Sequence, residues 1–276
     1  MKKRIYPVVA TLFAFGIGAG IHAEAAEEAT AFLTRKGIAI HKDRAGAPNR
    51  VMSAGKTPLS ASDYQRIGEL KTIESLGLNA ATLKDSEWEF LKSLPKLKRL
   101  SIWHAKGISS LSGFSGLGVE SLTVGGSMGL RDNNRARPER HLNAVLTLRD
   151  LPNLHRLSLY HTPLTPDDSH LAHIAKEFPK LNDLRLDFAT PRGVELNISI
   201  AGLRKLHALP LVKLTVENIQ AFTAAHMQTI AEIPTLKTLV IDARKRPVSK
   251  LLVDAARTAR PGLKIDLQQA KNQKTQ

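Results

Sequence analysis

The sequence contains no cysteine. That absence excludes thiol nucleophiles, thioester chemistry on a cysteine, Cys-based zinc sites, disulfides and lipid attachment through an N-terminal Cys. Aromatic residues are scarce at 5% of 276 residues, with only 2 Trp and 3 Tyr. The core is therefore expected to be aliphatic, and an exposed aromatic ring stands out. Acidic residues are outnumbered 25 to 40 by Lys and Arg, giving a net charge of +15. Catalytic signatures are missing as well. "GFSGLG" (113–118) places Leu117 where the G-x-S-x-G elbow needs glycine. No P-loop, H-E-x-x-H or usable dinucleotide fingerprint occurs. The expectation is a protein that is not an enzyme, with no cofactor and no metal.

Long apolar runs are limited to one, "PVVATLFAFGIGAGI" at 7–21. Its fifteen residues are short for a bilayer span, which takes about 20. "MKKRIY" before it is a basic lead, and "HAEA" after it supplies small residues at Ala23 and Ala25. Together these read as an export signal over 1–25, an uncleaved anchor being the other reading. The glycines of "GIGAG" (16–20) belong to this apolar core rather than to a phosphate loop. Removing Lys2, Lys3, Arg4 and Glu24 leaves a charge of +13, so the exported part stays basic. The expected destination is the periplasm, the cell envelope or the medium.

What the chain does have is a repeat. "IESLGL" (73–78), "LKRLSI" (97–102), "VESLTV" (119–124), "LHRLSL" (154–159), "LNDLRL" (181–186), "LVKLTV" (211–216) and "LKTLVI" (236–241) share one apolar pattern. "GLKIDL" (262–267) is a degraded final copy. Copies lie 22 to 35 residues apart, and several follow "LPK", "LPN", "FPK" or "IPT". The closing apolar pair of each copy alternates with period 2, as in a strand with one buried face. Helical spacing fills the gaps at 85–94, 141–151, 165–178, 218–233 and 248–260. Thr165 and Pro166 read as an N-cap and first helical residue, with Pro179 just past the end of that helix. One such unit cannot bury its own apolar face, but stacked units share a continuous core.

On these motifs, over residues 57–268, the chain resembles the leucine-rich repeat family, in particular the ribonuclease-inhibitor-like type found in many exported bacterial proteins. The resemblance implies an α/β solenoid, a horseshoe with parallel strands on the concave side and helices on the convex side. It also implies a non-catalytic role in binding a protein or peptide. Family repeats often carry Asn after the strand, where its amide satisfies loop backbone groups. Here Ala81, Ala105, Ser127, Thr162 and Ala189 stand at those positions, so the loops need another device. Residues 26–56 precede the regular repeats and read as a helix and two short strands capping the first apolar face. "GGSMGLRDNNRARPER" (125–140) reads as an exposed insertion and 269–276 as a frayed tail.

Residues flanking the buried pair of each strand face away from the core and form columns across the sheet. The first runs Ser75, Arg99, Ser121, Arg156, Asp183, Lys213, Thr238, Lys264, and the second includes Gly77 and Arg185. The third runs Asn79, Trp103, Gly125, Tyr160, Asp187, Glu217, Asp242, Gln268. Trp103 and Tyr160, two strands apart, read as aromatic anchors with Gly125 opening a gap of about 10 Å between them. Asp187, Glu217 and Asp242 read as an exposed acidic lane, answered by Arg156, Arg185 and Lys213 or by a basic partner. Trp103, Tyr160, Arg99, Arg156, Arg185, Asp187, Glu217 and Asp242 are the candidate partner-binding set.

Two further features weigh against other classes. His170, His173 and Glu177 share one face of a predicted helix, opposite Leu171, Ile174 and Phe178, and read as a solvent-facing polar stripe rather than a metal site. Basic clusters at 135–140 and 243–247 fall in predicted loops. They offer a second mode of action, contact with anionic lipid or glycan of the envelope. Nucleic acid is not expected, given the export signal and the lack of a groove-reading helix.

Overall fold

The computed structural model describes residues 14–53, 59–104, 109–125, 143–160, 167–189 and 196–270. Most of the insertion at 125–140, the basic cluster at 135–140, the proposed cap at Thr165 and Pro166, and the tail from 271 lie outside the described residues, as does the start of the apolar N-terminal run. Within the described part, ten strands lie side by side in chain order. They are β1 (Ala39–Lys42), β2 (Pro48–Met52), β3 (Ser75–Asn79), β4 (Arg99–Trp103) and β5 (Ser121–Gly125). β6 (Arg156–Tyr160), β7 (Asp183–Asp187), β8 (Lys213–Glu217), β9 (Thr238–Ala243) and β10 (Lys264–Gln269) complete the sheet. β1 and β2 form an antiparallel hairpin, and from β2 onward every neighbour is parallel. The architecture is the leucine-rich-repeat solenoid that the repeats imply.

Register follows from the leucines. Leu76, Leu100, Leu122, Leu157, Leu184, Leu214 and Leu239 stand opposite one another in successive strands, each at most 1% exposed. Two residues on, Leu78, Ile102, Val124, Leu159, Leu186, Val216 and Ile241 form a second ladder at 0% exposure. A one-residue slip of any strand would turn both of its rungs to water, and each buried aliphatic side chain is worth about 1.5–3 kcal/mol. This is why so few aromatics suffice.

Opposite the sheet's open face, the connecting layer is not helical throughout. α-Helices at Asp168–Glu177, Ile200–Arg204, Ala224–Ala231 and Lys250–Ala259 serve the C-terminal repeats. The expected helices over 85–94 and 141–151 are instead single 3-10 segments, Glu89–Ser93 and Asn143–Thr147, with another at Ser112–Phe114. In the first of these repeats two large rings occupy the layer. Trp88 packs edge-on against Phe114 with centroids 4.6 Å apart, and Gly113 leaves the indole room. In the Asn143–Thr147 segment, the Thr147 hydroxyl donates to Ala144 O and accepts from the Leu111 N–H of the preceding repeat, closing the turn after five residues. Helices need 8–10 Å between axes against about 4.8 Å between strands, a mismatch that favours a sheet curved with its strands inside.

Hydrogen bonds tie each convex layer to the next. His173 Nε2 donates to Leu148 O at 2.7 Å and His207 Nε2 to Thr229 O at 2.8 Å. His226 accepts the Thr223 N–H at Nδ1 (3.0 Å), which leaves Nε2 to donate to Ile198 O at 3.0 Å. Asp85 accepts from the Ser109 and Ser110 N–H groups, and Asp168 accepts from Ser199, the N-cap of the next helix. The N-cap of Asp168–Glu177 is Asp167, two residues beyond the expected Thr165, because its carboxylate reaches both the Ser169 N–H and His170 Nδ1. His170 is therefore 1% exposed rather than part of a solvent-facing stripe. Among the described residues no cluster of three His, Asp or Glu is arranged to hold a metal ion.

At the N-terminal end, the helix Ala14–Arg35 runs on through the expected cleavage point and lays Ala29 and Leu33, both 0% exposed, against the helix Ala61–Glu69. The hairpin continues the sheet beyond β3. Lys36 reaches across to the buried Asp63 at 2.5 Å, inside the capping box that Asp63 makes with Ser60. Burial alone would raise the Asp63 pKa; the Lys36 and Ser60 hydrogen bonds outweigh it and hold the carboxyl low. Among the described residues no helix is long and apolar enough to cross a membrane.

Candidate functional site: the open strand face

The face of the sheet turned away from the core carries rows fixed by strand register. The first row begins one strand earlier than the repeats, at Arg50 on β2, which stands opposite Ser75. Continuing through Arg99, Ser121, Arg156, Asp183, Lys213 and Thr238, it ends at Lys264 on β10. The cations fall on β2, β4, β6, β8 and β10, with Ser, Ser, Asp and Thr on the strands between. Arg50, Arg99, Arg156 and Lys264 are exposed. Asp183 sits between the third and fourth cations, 3.5 Å from Arg156 Nε and 4.0 Å from Lys213 Nζ. Among the described residues Arg50, Arg99 and Lys264 have no ion-pair partner. Lys213 and Lys264 stand in the sequence column but not in the candidate set. Arg50 lies in the segment read as a separate cap, although "NRVM" alternates as "LKRLSI" does.

The acidic lane differs most from the sequence expectation. Asp187, Glu217 and Asp242 are 2%, 3% and 7% exposed, so they form an interior row rather than a surface. Arg185 on β7 spans two strands to reach Glu217 Oε1 at 3.3 Å and Asp242 Oδ2 at 2.8 Å. Arg244 closes on Asp242 with both Nε (2.9 Å) and Nη2 (2.6 Å). Asp187 Oδ1 accepts the Asn218 amide at 2.6 Å and the Ala189 N–H at 2.9 Å. The physical reason is local. The strand-end carboxylate folds over the loop and accepts the N–H two residues on, as Asp242 does from Arg244 (3.3 Å) and Asn79 from Ala81 (3.2 Å). These side chains satisfy backbone N–H groups in the loops that follow their strands. Burial and the neighbouring Asp187 carboxylate push Glu217 up to about 7, opposed by Arg185. The Arg244 hydrogen bond, against the pull of burial, holds Asp242 below the ordinary carboxylate range.

Trp103 is half-buried. Its ring leans back across the face over Gly77, where an added Cβ would lie 2.8 Å from the indole and 2.6 Å from the sulfur of Met52. Gly77 is thus the space into which Trp103 and Met52 pack, making an apolar platform at the N-terminal end of the face. Gly125 stands between Trp103 and Tyr160 in register, as the gap requires. The Tyr160 side chain lies outside the described residues. β6 and β7 are in register at Arg156–Asp183, Leu157–Leu184 and Ser158–Arg185.

Near the C-terminal end, Lys213, Lys264, Thr215, Thr238 and Asp266 surround a shallow recess of about 460 Å³ that also touches Arg185. The face thus runs from an apolar platform, past exposed arginines, to a lysine-lined recess. Among the described residues its one carboxyl pushed strongly upward, Glu217, is enclosed.

No family model and no curated protein matches the sequence. Among solved structures, the leucine-rich repeat-containing protein LegL7 from Legionella pneumophila is similar, at 16% identity and a TM-score of 0.44. That likeness covers 81% of this chain and 83% of LegL7.

Proposed function

We propose that the protein is a non-catalytic binding protein of the ribonuclease-inhibitor-like, exported bacterial type, which holds a protein or peptide partner on its open strand face. The observation that carries this reading is the row of exposed cations in strand register, beside the Trp103 platform. Arg50, Arg99 and Lys264 neutralise nothing among the described residues, while the acids that the fold does need are enclosed and paired. Charge of this kind steers a partner and sets its orientation. Aromatic and arginine side chains are also where binding energy concentrates. The basic loop at 243–247 is less available for an envelope surface, since Arg244 is held on Asp242. Export to the periplasm, envelope or medium follows from the leader over 1–25 and belongs to this proposal.

The test is quantitative capture by the immobilised full chain from the native surroundings, alongside the variants Trp103→Ala and Arg99→Ser/Arg156→Ser. The specific partner should be lost by about tenfold or more in each variant, while each variant still unfolds in one cooperative transition above the temperature of the capture. Equal capture by all three baits would remove the open face from the account.

A further inference from the structure

Resting on that reading, we infer that the open face selects an acidic, extended peptide whose carboxylates recur at every third residue of a polyproline-II-like segment. Five cations lie in a single register row on alternate strands: Arg50, Arg99, Arg156, Lys213 and Lys264. Alternate strands are about 9.6 Å apart, and the row spans roughly 38 Å. A polyproline-II helix rises about 3.1 Å per residue with three residues per turn, so residues i and i+3 share a face about 9.3 Å apart. Concave curvature draws the side-chain tips slightly closer than the backbones that carry them, which narrows the remaining difference. About thirteen residues then cover the row, with acids at the first, fourth, seventh, tenth and thirteenth. A β-strand ligand repeats its same-face side chains every ~6.7 Å and drifts out of step within two strands.

The strands between the cations add to the selection. Ser75, Ser121 and Thr238 are short and offer no opposing charge, so the cations stand clear of them. Asp183 is the exception, and it is already engaged by Arg156 and Lys213. A continuous block of ligand acids would press a carboxylate onto it, whereas acids at every third residue straddle it. In the next row Ser158, Thr215 and Val240 are buried, which leaves few outward hydroxyls for a sugar chain. The Met52–Trp103 platform suits the flat, apolar rings of proline. A preformed polyproline-II segment also loses little conformational freedom on docking.

The experiment is fluorescence anisotropy with the full chain and two labelled thirteen-residue peptides of identical composition. One carries glutamate at every third position among prolines; the other carries the five glutamates contiguously at one end. The spaced peptide is expected to bind at least tenfold more tightly, and Arg99→Ser/Arg156→Ser to weaken it by more than tenfold. Equal affinity of the two peptides, with loss of both in the variant, would overturn the spacing while leaving the open face as the binding surface. Binding of both that the variant leaves intact would overturn the open face itself. Failure of both peptides while an acidic polysaccharide or anionic vesicles bind would overturn the peptide assignment.

Discussion

Arg185→Met is expected to destabilise the protein by about 3 kcal/mol at pH 8 and by much less at pH 5.5. Removing one partner of a buried ion pair strands the other, and losses of about 3–5 kcal/mol are typical. Here the guanidinium bridges Glu217 and Asp242, whose side chains are 3% and 4% exposed, across three neighbouring strands. Methionine fills much of the same volume, so the loss reports charge rather than a cavity. Asp242 retains Arg244. Glu217 faces the Asp187 carboxylate without the countercharge that Arg185 supplied. Acidification protonates Glu217 and relieves the repulsion, which is why the loss shrinks as pH falls. Urea unfolding of the parent and variant at the two pH values measures it. A loss below about 1 kcal/mol at pH 8 would mean that Arg185 is a surface charge in effect, whatever its reach.

The second large effect belongs to Glu217→Gln and has the opposite sign at high pH. In the folded protein Glu217 titrates near 7, above its ordinary value of 4.5. Between those values the native state holds a proton that the unfolded chain has released. Stability therefore falls as pH rises from about 4.5 through 7, and the deficit at pH 8 is on the order of 2–3 kcal/mol. Glutamine cannot ionise and keeps a hydrogen-bonding oxygen for Arg185. The variant should match the parent near pH 5 and exceed it by about 2 kcal/mol at pH 8. Asp242 works the other way, its lowered pKa adding stability that is lost only in acid, and both proteins share that limb. Parallel stability curves for parent and variant from pH 5 to 8 would contradict the raised pKa.

These two residues also mark where the sequence stops being legible. Each of the eight repeat strands lies where the period-2 leucine pattern puts it, because a slip would expose whole rungs of the core. Which residues line the open face follows from the same alternation, and so does the cation row once β2 is counted in. Exposure does not follow. Asp187, Glu217 and Asp242 stand at strand ends, where the next loop folds back over the side chain. Whether a carboxylate there meets water or a turn depends on two residues beyond the strand, and on an arginine one or two strands away. No spacing rule carries that information. The convex layer departs from its sequence pattern for a related reason: the 85–94 spacing fits a helix, but the bulk of Trp88 and Phe114 fills the layer with one 3-10 turn. Trp103 is intermediate, its column foretold and its tilt onto Gly77 and Met52 not.

The central claim is that the partner lies on the open strand face and not on the helices. A benzophenone photo-crosslinker placed at Ser101, in the middle of that face, and separately at the exposed Gln228 of the helix Ala224–Ala231 tests it directly. After capture and illumination, the account predicts a covalent adduct of the partner from position 101 and none above background from position 228. Adducts from 228 with none from 101 would contradict it.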